Sequence, residues 1–313
     1  MSNVIVRKYG AILKSRGGLR AILQRYGIVR VCDAGLREAW LACGTQILRR
    51  LGRHPGKGYG WLEAALFPVW DYWVRYSRVV DVVTEVKPGE RQRLLEVSSG
   101  RGGIAWLFRD PAVRSCLVDR DPQLLRDPRG GKSWRVCADA ASLPFPSDSF
   151  DVVISVDTVE HLPAEIRPVF ISELKRVAAH TVIITCPIQS ADGAFQAAAF
   201  DRRLRREIQD RGAPVPDWLE EHIREKHPTR EQLAALLPEG KITGTQNCDA
   251  WLRYSCLYHR PLGWLVAGVR YRSTLARRDA VPPHWRGTLV WRKSVASNVK
   301  SDSGDDVPVL VGQ

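Results

Sequence analysis

The sequence lacks the features of a disulfide-stabilised or membrane-spanning protein. Its seven cysteines are odd in number and include no Cys-x-x-Cys pair. Several lie in apolar, strand-like runs, where a cysteine acts as a small hydrophobic residue, and this usage favours a reducing compartment. No uncharged run approaches the roughly 18 to 20 residues that cross a bilayer, and no secretory signal is evident. We therefore expect a cytoplasmic protein.

Positive charge is concentrated at the N-terminal end. Residues 1–60 hold twelve Lys or Arg residues against Asp33 and Glu38, and so account for ten of the thirteen net positive charges. Apolar residues recur at near-helical spacing between the basic ones in residues 9–26. Three interpretations stay open: helices lying on an anionic membrane surface, an extension along nucleic-acid phosphates, or a solvated helical cap. The nucleic-acid interpretation is less favoured, because no RNA-binding module is recognisable.

Apolar, strand-like runs alternate with helical stretches between residues 93 and 187. The predicted strands are 94–97, 116–119, 135–138, 151–155 and 181–186. Strands separated by helices form a parallel sheet with right-handed crossovers. Two later runs, 241–246 and 288–291, are predicted as antiparallel strands. The expected fold class is α/β, a Rossmann-like three-layer sandwich around a mostly parallel seven-stranded sheet, with an N-terminal helical extension.

This organisation predicts three segments. Residues 1–89 form a basic helical extension, which ends at a Pro-Gly turn after a helical, aromatic-rich stretch at 68–86. Residues 90–295 form the α/β domain, with helical insertions at 188–239 and 249–285. Residues 296–313 are polar and are predicted to be disordered.

A glycine-rich turn follows the first predicted strand, in the sequence RLLEVSSGRGGI at 93–104. Such a turn lets the backbone approach a ligand and places a helix N-terminus beside it. Asp119 ends the next predicted strand, 19 residues after Gly100, where a carboxylate can accept hydrogen bonds from ribose hydroxyls. Nicotinamide and adenosylmethionine enzymes share both features, so these features do not separate the two classes.

The residues after the third predicted strand separate them. Asp139 follows that strand, a Leu-Pro-Phe-Pro loop comes next at 143–146, and Ser-Phe-Asp at 149–151 leads the fourth strand. Together with Glu-x-Ser-x-Gly-x-Gly at 96–102, this combination resembles the class I S-adenosylmethionine-dependent methyltransferases, in their type 11-like form. Serine replaces the first glycine of the family's Glu-x-Gly-x-Gly-x-Gly. A nicotinamide dehydrogenase is disfavoured by the stretch 139–150.

The resemblance implies a role for each matched residue. The methionine end of the cofactor S-adenosylmethionine would be lined by the turn residues Glu96, Ser98, Gly100 and Gly102. Asp119 would hold the ribose, and Asp139 would accept from the adenine amino group beside the backbone N–H of Ala140. In the simpler interpretation, Asp119 and Asp139 only cap strand ends.

Acidic and imidazole side chains follow the fourth predicted strand, at the carboxyl edge where such folds bind ligands. Asp157, Glu160 and His161 are the catalytic candidates. His161 is a candidate general base because imidazole titrates near neutral pH; it can equally cap the next helix or brace the cofactor loop. No Asn-Pro-Pro-Tyr-type motif of amino-methylating enzymes appears here, which favours an oxygen acceptor.

A metal site is a further hypothesis for the same segment. Asp157-x-x-Glu160-His161 is similar to the Glu-x-x-Glu-His of ubiquinone-type and small-RNA 2′-O-methyltransferases, which binds a divalent metal together with a later histidine. His222 or His227 would supply that histidine. The set implied by the resemblance is Asp157, Glu160, His161 and His227, with Mg²⁺ as one candidate ion.

The expected function is transfer of a methyl group from S-adenosylmethionine to an oxygen of a small-molecule, glycan or lipid-linked acceptor. An anionic membrane surface, contacted through the N-terminal basic helices, would suit a lipid-linked acceptor and a membrane-associated location. Two alternatives stay open: an RNA 2′-O-methyltransferase with a divalent metal, and a catalytically silent partner protein that binds the cofactor.

Overall fold

The computed structural model describes residues 70–86, 90–108, 110–210, 214–258, 262–270 and 279–294, and isolated positions at 36, 39–41, 43, 44, 47 and 212. Apart from those positions, the basic segment 1–60 and the tail 296–313 lie outside the described residues. The hypotheses about a membrane surface, nucleic acid and a disordered tail therefore stay predictions.

Seven strands form one sheet in the order β3-β2-β1-β4-β5-β7-β6. The strands are β1 (Gln92–Val97), β2 (Val113–Asp119), β3 (Trp134–Cys137), β4 (Phe150–Val156), β5 (Ala178–Pro187), β6 (Lys241–Asn247) and β7 (His284–Arg292). The first five are parallel, and β7 lies antiparallel between β5 and β6. The α/β fold class and the mostly parallel seven-stranded sheet predicted from the sequence are confirmed.

The last strand differs most from its prediction. The apolar pattern predicts a strand at 288–291, whereas β7 begins at His284. Residues 284–287 join it through backbone pairing: His284 opposes Asn247 of β6, and Arg286 opposes both Thr245 of β6 and Pro187 of β5. Backbone pairing on two sides extends the strand beyond its apolar stretch.

Helices cover both faces of the sheet. On one face, α1 (Trp70–Val86) and the short 3₁₀ helix Ile104–Trp106 cover alternate strand residues such as Leu94 and Ile154. On the other face, α3 (Arg167–Val177) covers Leu95 and Val153. Neighbouring strand residues point to opposite faces, and this alternation produces the predicted three layers. A short helix, α2 (Pro122–Leu125), follows β2.

Both predicted insertions contain helices, although the described residues 279–285 of the second form turns and the start of β7. The first contains α4 (Ala197–Asp210), α5 (Asp217–Glu225) and α6 (Arg230–Leu236), and the second contains α7 (Cys248–Tyr258) and α8 (Gly263–Arg270). A third apolar cluster joins α1 to four of these helices through residues such as Val74, Leu204, Leu219 and Trp251. Helix α5 also contacts the 3₁₀ turn Val159–His161 after β4.

Two expectations about composition can be examined over the described residues. There, Cys116, Cys186 and Cys248 are buried and carry free thiols, which agrees with their predicted use as small hydrophobic residues. No helix in this part of the chain combines the length and the apolar composition needed to cross a bilayer.

Candidate active site

The strand order reverses between β1 and β4, which places the site at that edge of the sheet. The chain passes from β1 outward to β2 and β3 and then returns to pair β4 with the other side of β1. In open α/β sheets, ligands bind outside the carboxyl ends of the strands at this kind of switch point. The glycine turn and the segment after β4 both lie there.

The glycine turn has an unusual backbone. Ser98, Gly100, Gly102 and Gly103 have φ angles of 60°, 57°, 90° and 49°, a region that glycine enters without steric cost. For a residue with a Cβ, the left-handed conformation costs about 1–2 kcal/mol. Ser98 therefore occupies a backbone region that favours glycine, at some cost in stability.

Glu96 braces the turn from below. Its Oε2 accepts a hydrogen bond from the Ile104 N–H at 2.6 Å, and its Oε1 accepts one from the Tyr76 hydroxyl at 2.7 Å. Burial raises the pKa of Glu96 from 4.5 to about 7, although both donors oppose the rise. The structure thus places the Glu96 carboxylate beneath the turn and against α1.

Helix α1 closes over the turn through two tyrosines. The Tyr72 hydroxyl donates to the carbonyl of Gly103, and its ring packs edge-on against Trp106 with centroids 4.7 Å apart. With Tyr76 bound to Glu96, α1 makes polar contacts with both ends of the turn. A helix before the first strand therefore helps to shape the glycine turn.

Asp119 connects the ends of β1 and β2. Its Oδ2 accepts from the Gly100 N–H at 2.9 Å, and its Oδ1 accepts from the Asp121 N–H at 3.0 Å. The side chain is 9% exposed. This carboxylate fixes the turn at the point where the sequence predicts a ribose contact.

Asp139 and Ala140 lie next to Asp119, after β3. The Ala138 N–H donates to the Asp119 carbonyl at 3.2 Å, which brings the two strand ends together. Asp139 is exposed, and its Oδ1 accepts from the Ala141 N–H at 2.8 Å. The structure thus brings Gly100, Asp119 and Asp139 to one edge, as their predicted roles require, and those roles stay predictions.

A cleft of about 330 Å³ lies beside the turn. Its lining combines turn residues, α1 residues and the end of β4: Leu41, Tyr72, Arg75, Tyr76, Ser98, Ser99, Gly100, Arg101, Trp106, Arg129, Val156 and Asp157. The lining residues thus include three arginines and one carboxylate, that of Asp157. Glu160 and His161 lie outside this lining.

Two arginines hold Asp157. Arg286 from β7 donates to both carboxylate oxygens, through Nη1 and through Nη2, the latter at 3.1 Å, and Arg75 Nε lies 3.3 Å from Oδ2. Burial by itself would raise the pKa of Asp157, but the charges of Arg286 and Arg75 outweigh it and hold this pKa below its ordinary value. Asp157 is therefore ionised and firmly positioned at the cleft.

Glu160, His161 and His222 converge behind Asp157. Glu160 is fully buried, and neither carboxylate oxygen accepts a hydrogen bond from the described residues. His222 Nε2 lies 4.0 Å from Glu160 Oε1 and 3.4 Å from His161 Nε2. Burial and the repulsion of Asp157 raise the pKa of Glu160 well above its ordinary value.

The predicted metal set is only partly brought together. Asp157 binds two arginines, and His227 Nε2 lies 2.8 Å from Asp201 Oδ2. His222, the other histidine of that segment, lies beside Glu160 and His161 instead. Among the described residues, the side chains close enough together to share an ion are Glu160, His161 and His222, and also Asp201, His222 and His227.

Sequence reasoning missed Arg286 and Asp201. Arg286 is 1% exposed in β7, and Asp201 is fully buried on the apolar face of α4 between Phe200 and Leu204. A charged residue at a core position must be paired. For Asp201 that pattern was a signal in the sequence, although it does not identify the partner. Arg286 precedes the predicted strand 288–291, so its burial had no such signal.

The turn glycines offer a prediction with an internal comparison. A Cβ at Gly103 would lie 2.2 Å from Glu96 Oε2, whereas a Cβ at Gly100 would meet no atom within 4 Å. We expect Gly103→Ala to lower the free energy of unfolding by about 2 kcal/mol more than Gly100→Ala, because it adds overpacking to backbone strain. Urea denaturation of both variants measures this difference. Equal losses would contradict the contact with Glu96.

Glu96 predicts a pH dependence of stability. The folded chain keeps the Glu96 proton up to about pH 7, whereas the unfolded chain releases it near pH 4.5. This group therefore destabilises the fold progressively as pH rises between these values, by about 2–3 kcal/mol from pH 5 to pH 8. Urea denaturation at both pH values should show a smaller fall for Glu96→Gln than for the wild type.

Glu173 provides the control for that measurement. Its contact with Arg176 holds its pKa below the ordinary value, so Glu173 loses stabilising charge only at more acidic pH. Glu173→Gln should leave the difference between pH 5 and pH 8 unchanged. A Glu96→Gln variant with the wild-type pH profile would refute the prediction.

Comparison with known proteins agrees with this geometry. Residues 95–185 match the family model described as a methyltransferase domain. Over 155 residues the chain is 29% identical to the malonyl-[acyl-carrier protein] O-methyltransferase of Halorhodospira halophila, covering 45% of this chain and 46% of that protein. Over 132 residues it is 36% identical to a probable phthiotriol/phenolphthiotriol dimycocerosates methyltransferase 2 of Mycobacterium ulcerans, covering 37% of this chain and 50% of that protein. The chain thus spans about half the length of these curated relatives.

A SAM-dependent methyltransferase from Archaeoglobus fulgidus aligns with a TM-score of 0.45 and 18% identity, covering 71% of this chain and 94% of that one.

Residues 95–185 therefore form a methyltransferase domain. It is a domain of the class I S-adenosylmethionine-dependent methyltransferases, which confirms the resemblance noted in the sequence.

Proposed function

We propose that this chain transfers a methyl group from S-adenosylmethionine to an oxygen atom of a small-molecule or lipid-linked acceptor. The carrying observation is that the glycine turn after β1 and the acidic and imidazole side chains after β4 meet at one edge. Asp157 lines the same cleft as Ser98 and Gly100. Glu160 and His161 follow within one short 3₁₀ turn.

The residues at the turn suit the cofactor. S-Adenosylmethionine, when bound, supplies a methyl group on a positively charged sulfur. Asp119 would hold its ribose, Asp139 and the Ala140 N–H its adenine, and the turn its methionine end. The backbone at Gly100 faces open space, while the Asp119 carboxylate holds the Gly100 N–H in place. A turn preorganised in this way supports binding without further rearrangement.

An oxygen acceptor must also lose a proton. The acceptor oxygen bonds to the methyl carbon while the bond from that carbon to sulfur breaks, and the sulfur keeps the electron pair. Proton transfer to a positioned group contributes about 10²–10⁴-fold to such a rate. Among the described residues, the cluster of Glu160, His161 and His222, whose first two members follow Asp157 after the end of β4, is the candidate for this purpose.

The charge of the cleft favours an anionic acceptor. Arg75, Arg101 and Arg129 line it together with Asp157, and guanidinium groups recognise carboxylate and phosphate. Arg75 already contacts Asp157 and Arg129 pairs with Asp127, so recognition of an anionic acceptor would depend mainly on Arg101. The relatives' names state malonyl-[acyl-carrier protein] and phthiotriol or phenolphthiotriol dimycocerosates as what they methylate. We therefore extend the proposal to an acyl or lipid-linked acceptor that carries an anionic group.

Calorimetric titration with S-adenosylmethionine, S-adenosylhomocysteine and NAD⁺ tests the cofactor. We expect binding of the two adenosyl compounds and none of NAD⁺. Methyl transfer is then followed by mass spectrometry with malonyl thioesters, long-chain alcohols, glycans and RNA as acceptors. Methylated oxygen on a thioester or lipid supports the proposal.

The other outcomes identify the alternatives. Transfer to RNA alone would establish the RNA 2′-O-methyltransferase, and cofactor binding without transfer to any acceptor would favour the catalytically silent protein. A folded chain that binds neither adenosyl compound would overturn the proposal.

A further inference from the structure

Contacts between the described residues leave hydrogen-bonding capacity unused at the side chains around Glu160. Glu160 is fully buried, and its two carboxylate oxygens have no hydrogen-bond partner among the described residues. The Nε2 atoms of His161 and His222 face each other at 3.4 Å. An unpaired buried carboxylate is costly unless a cation or a proton lies beside it.

The partners of the two histidines fix which nitrogen carries the proton. His161 Nδ1 lies 2.9 Å from Glu221 Oε2, and His222 Nδ1 lies 3.0 Å from Asp201 Oδ2. An ionised carboxylate only accepts hydrogen bonds, so each Nδ1 is the donor. In a neutral ring, the lone pair is then on Nε2. Two imidazole lone pairs thus face each other beside a carboxylate.

We propose that Glu160, His161 and His222 bind one divalent transition-metal ion, such as Zn²⁺ or Mn²⁺. The three ligand atoms lie within 4.8 Å of one another. A set of three protein ligands with an open position is typical of catalytic zinc sites. Two imidazoles select transition metals over Mg²⁺, which prefers oxygen ligands. The ion expected is therefore not the Mg²⁺ considered from the sequence.

Carboxylates behind both histidines support this assignment. A metal-binding histidine usually donates its other N–H to a carboxylate or carbonyl, which orients the ring. Glu221 and Asp201 occupy these positions. Asp201 is itself held, because Oδ1 accepts from Trp285 Nε1 at 2.9 Å and Oδ2 lies 2.8 Å from His227 Nε2.

A second arrangement uses the same histidine. Asp201, His222 and His227 also bring three ligand atoms together. Asp201, however, already accepts from three donors, whereas Glu160 accepts from none in the described part of the chain. Of the two carboxylates, Glu160 is therefore the one whose oxygens have no hydrogen-bond donor among the described residues.

The location gives the ion a role that rests on the proposed function. Glu160 and His161 follow Asp157, which lines the cleft beside the cofactor turn. A bound ion lowers the pKa of a hydroxyl that it contacts. The acceptor would then release its proton without His161 as the base, because His161 Nε2 would be a ligand.

The experiment measures metal binding directly. Full-length protein, freed of metal by a chelator, is titrated by calorimetry with ZnCl₂, MnCl₂ and MgCl₂, and retained metal is counted by elemental analysis. We expect one Zn²⁺ or Mn²⁺ per chain and at least about 100-fold weaker binding of Mg²⁺. Glu160→Gln, His161→Gln and His222→Gln should each abolish stoichiometric binding, and Asp201→Asn should weaken it by about 10–100-fold.

Two histidine variants serve as matched controls. His227→Gln removes a ligand of the second arrangement only, and His180→Gln removes a histidine in β5 whose side chain is 47% exposed. Both should keep the wild-type affinity. Circular dichroism confirms that each variant folds. The S-adenosylmethionine affinity of each variant is measured separately, so that a failure of metal binding can be told apart from a failure of the proposed methyltransferase function.

The proposal is overturned if the metal-free wild type takes up no stoichiometric ion while it still binds S-adenosylmethionine. It is also overturned if His227→Gln abolishes binding and His161→Gln does not, since the second arrangement would then be the site.

Discussion

Replacing Asp119 by alanine is expected to abolish measurable S-adenosylmethionine binding. The carboxylate accepts hydrogen bonds from the backbone N–H groups of Gly100 and Asp121, and each proposed hydrogen bond from a ribose hydroxyl to this carboxylate would contribute about 1.5–3 kcal/mol to binding. The variant would lose the tie that fixes the turn together with the proposed ribose acceptor. A loss of about 3 kcal/mol or more corresponds to at least about a 100-fold weaker affinity. Calorimetric titration measures it.

Asp121 supplies the control for this variant. It is an acid two residues further on, and its Oδ1 accepts from the Gln123 N–H at the start of α2. Asp121→Ala should weaken that helix start by about 1 kcal/mol and leave the cofactor affinity nearly unchanged. Unaltered binding by a folded Asp119→Ala variant would remove Asp119 from the cofactor site.

Replacing Arg286 by methionine is expected to destabilise the fold by about 3–5 kcal/mol, because it leaves the carboxylate of Asp157 without its main partner. Arg286 is 1% exposed and also donates from Nε to Gln246 Oε1 at 3.1 Å. Its guanidinium lies 4.9 Å from the centroid of the Trp285 ring. Urea denaturation measures the loss of free energy of unfolding.

A double-mutant cycle isolates the pair. The combined variant Arg286→Met with Asp157→Asn should be less destabilised than the sum of the two single changes, by about 1–3 kcal/mol, since no buried charge is then left alone. The exposed pair of Arg203 and Asp249 serves as the comparison, where Arg203→Met should change stability little. Additive effects at Arg286 and Asp157 would show that the ion pair does not couple them.

Much of the fold is encoded in local patterns. The apolar runs between helices predicted five parallel strands and two later antiparallel ones, and all seven are present. The edge that carries the site followed from the same pattern, because consecutive parallel strands end on one side. Gly100 and Asp119 therefore meet at the ends of β1 and β2, as their positions after two predicted strands suggest.

The contact partners of each site residue could not be predicted from the sequence as the strands were. Asp157 was a catalytic candidate, but its partner Arg286 lies 129 residues away and is reached only because β7 inserts between β5 and β6. Similarly, His222 meets His161 across 61 residues because α5 packs against the turn after β4. No local periodicity specifies such pairs.

The amino-acid sequence by itself determined the strands, the glycine turn and the class of cofactor domain, because these depend on local hydrophobic period and on backbone conformations that few residues allow. Only the tertiary structure decided that Glu96 braces the turn under Tyr76, that Arg286 holds Asp157, and that His222 rather than His227 faces Glu160. Those pairings depend on how helices and strands distant in the chain pack together, and the free energy of that packing is shared among many residues rather than carried by a motif.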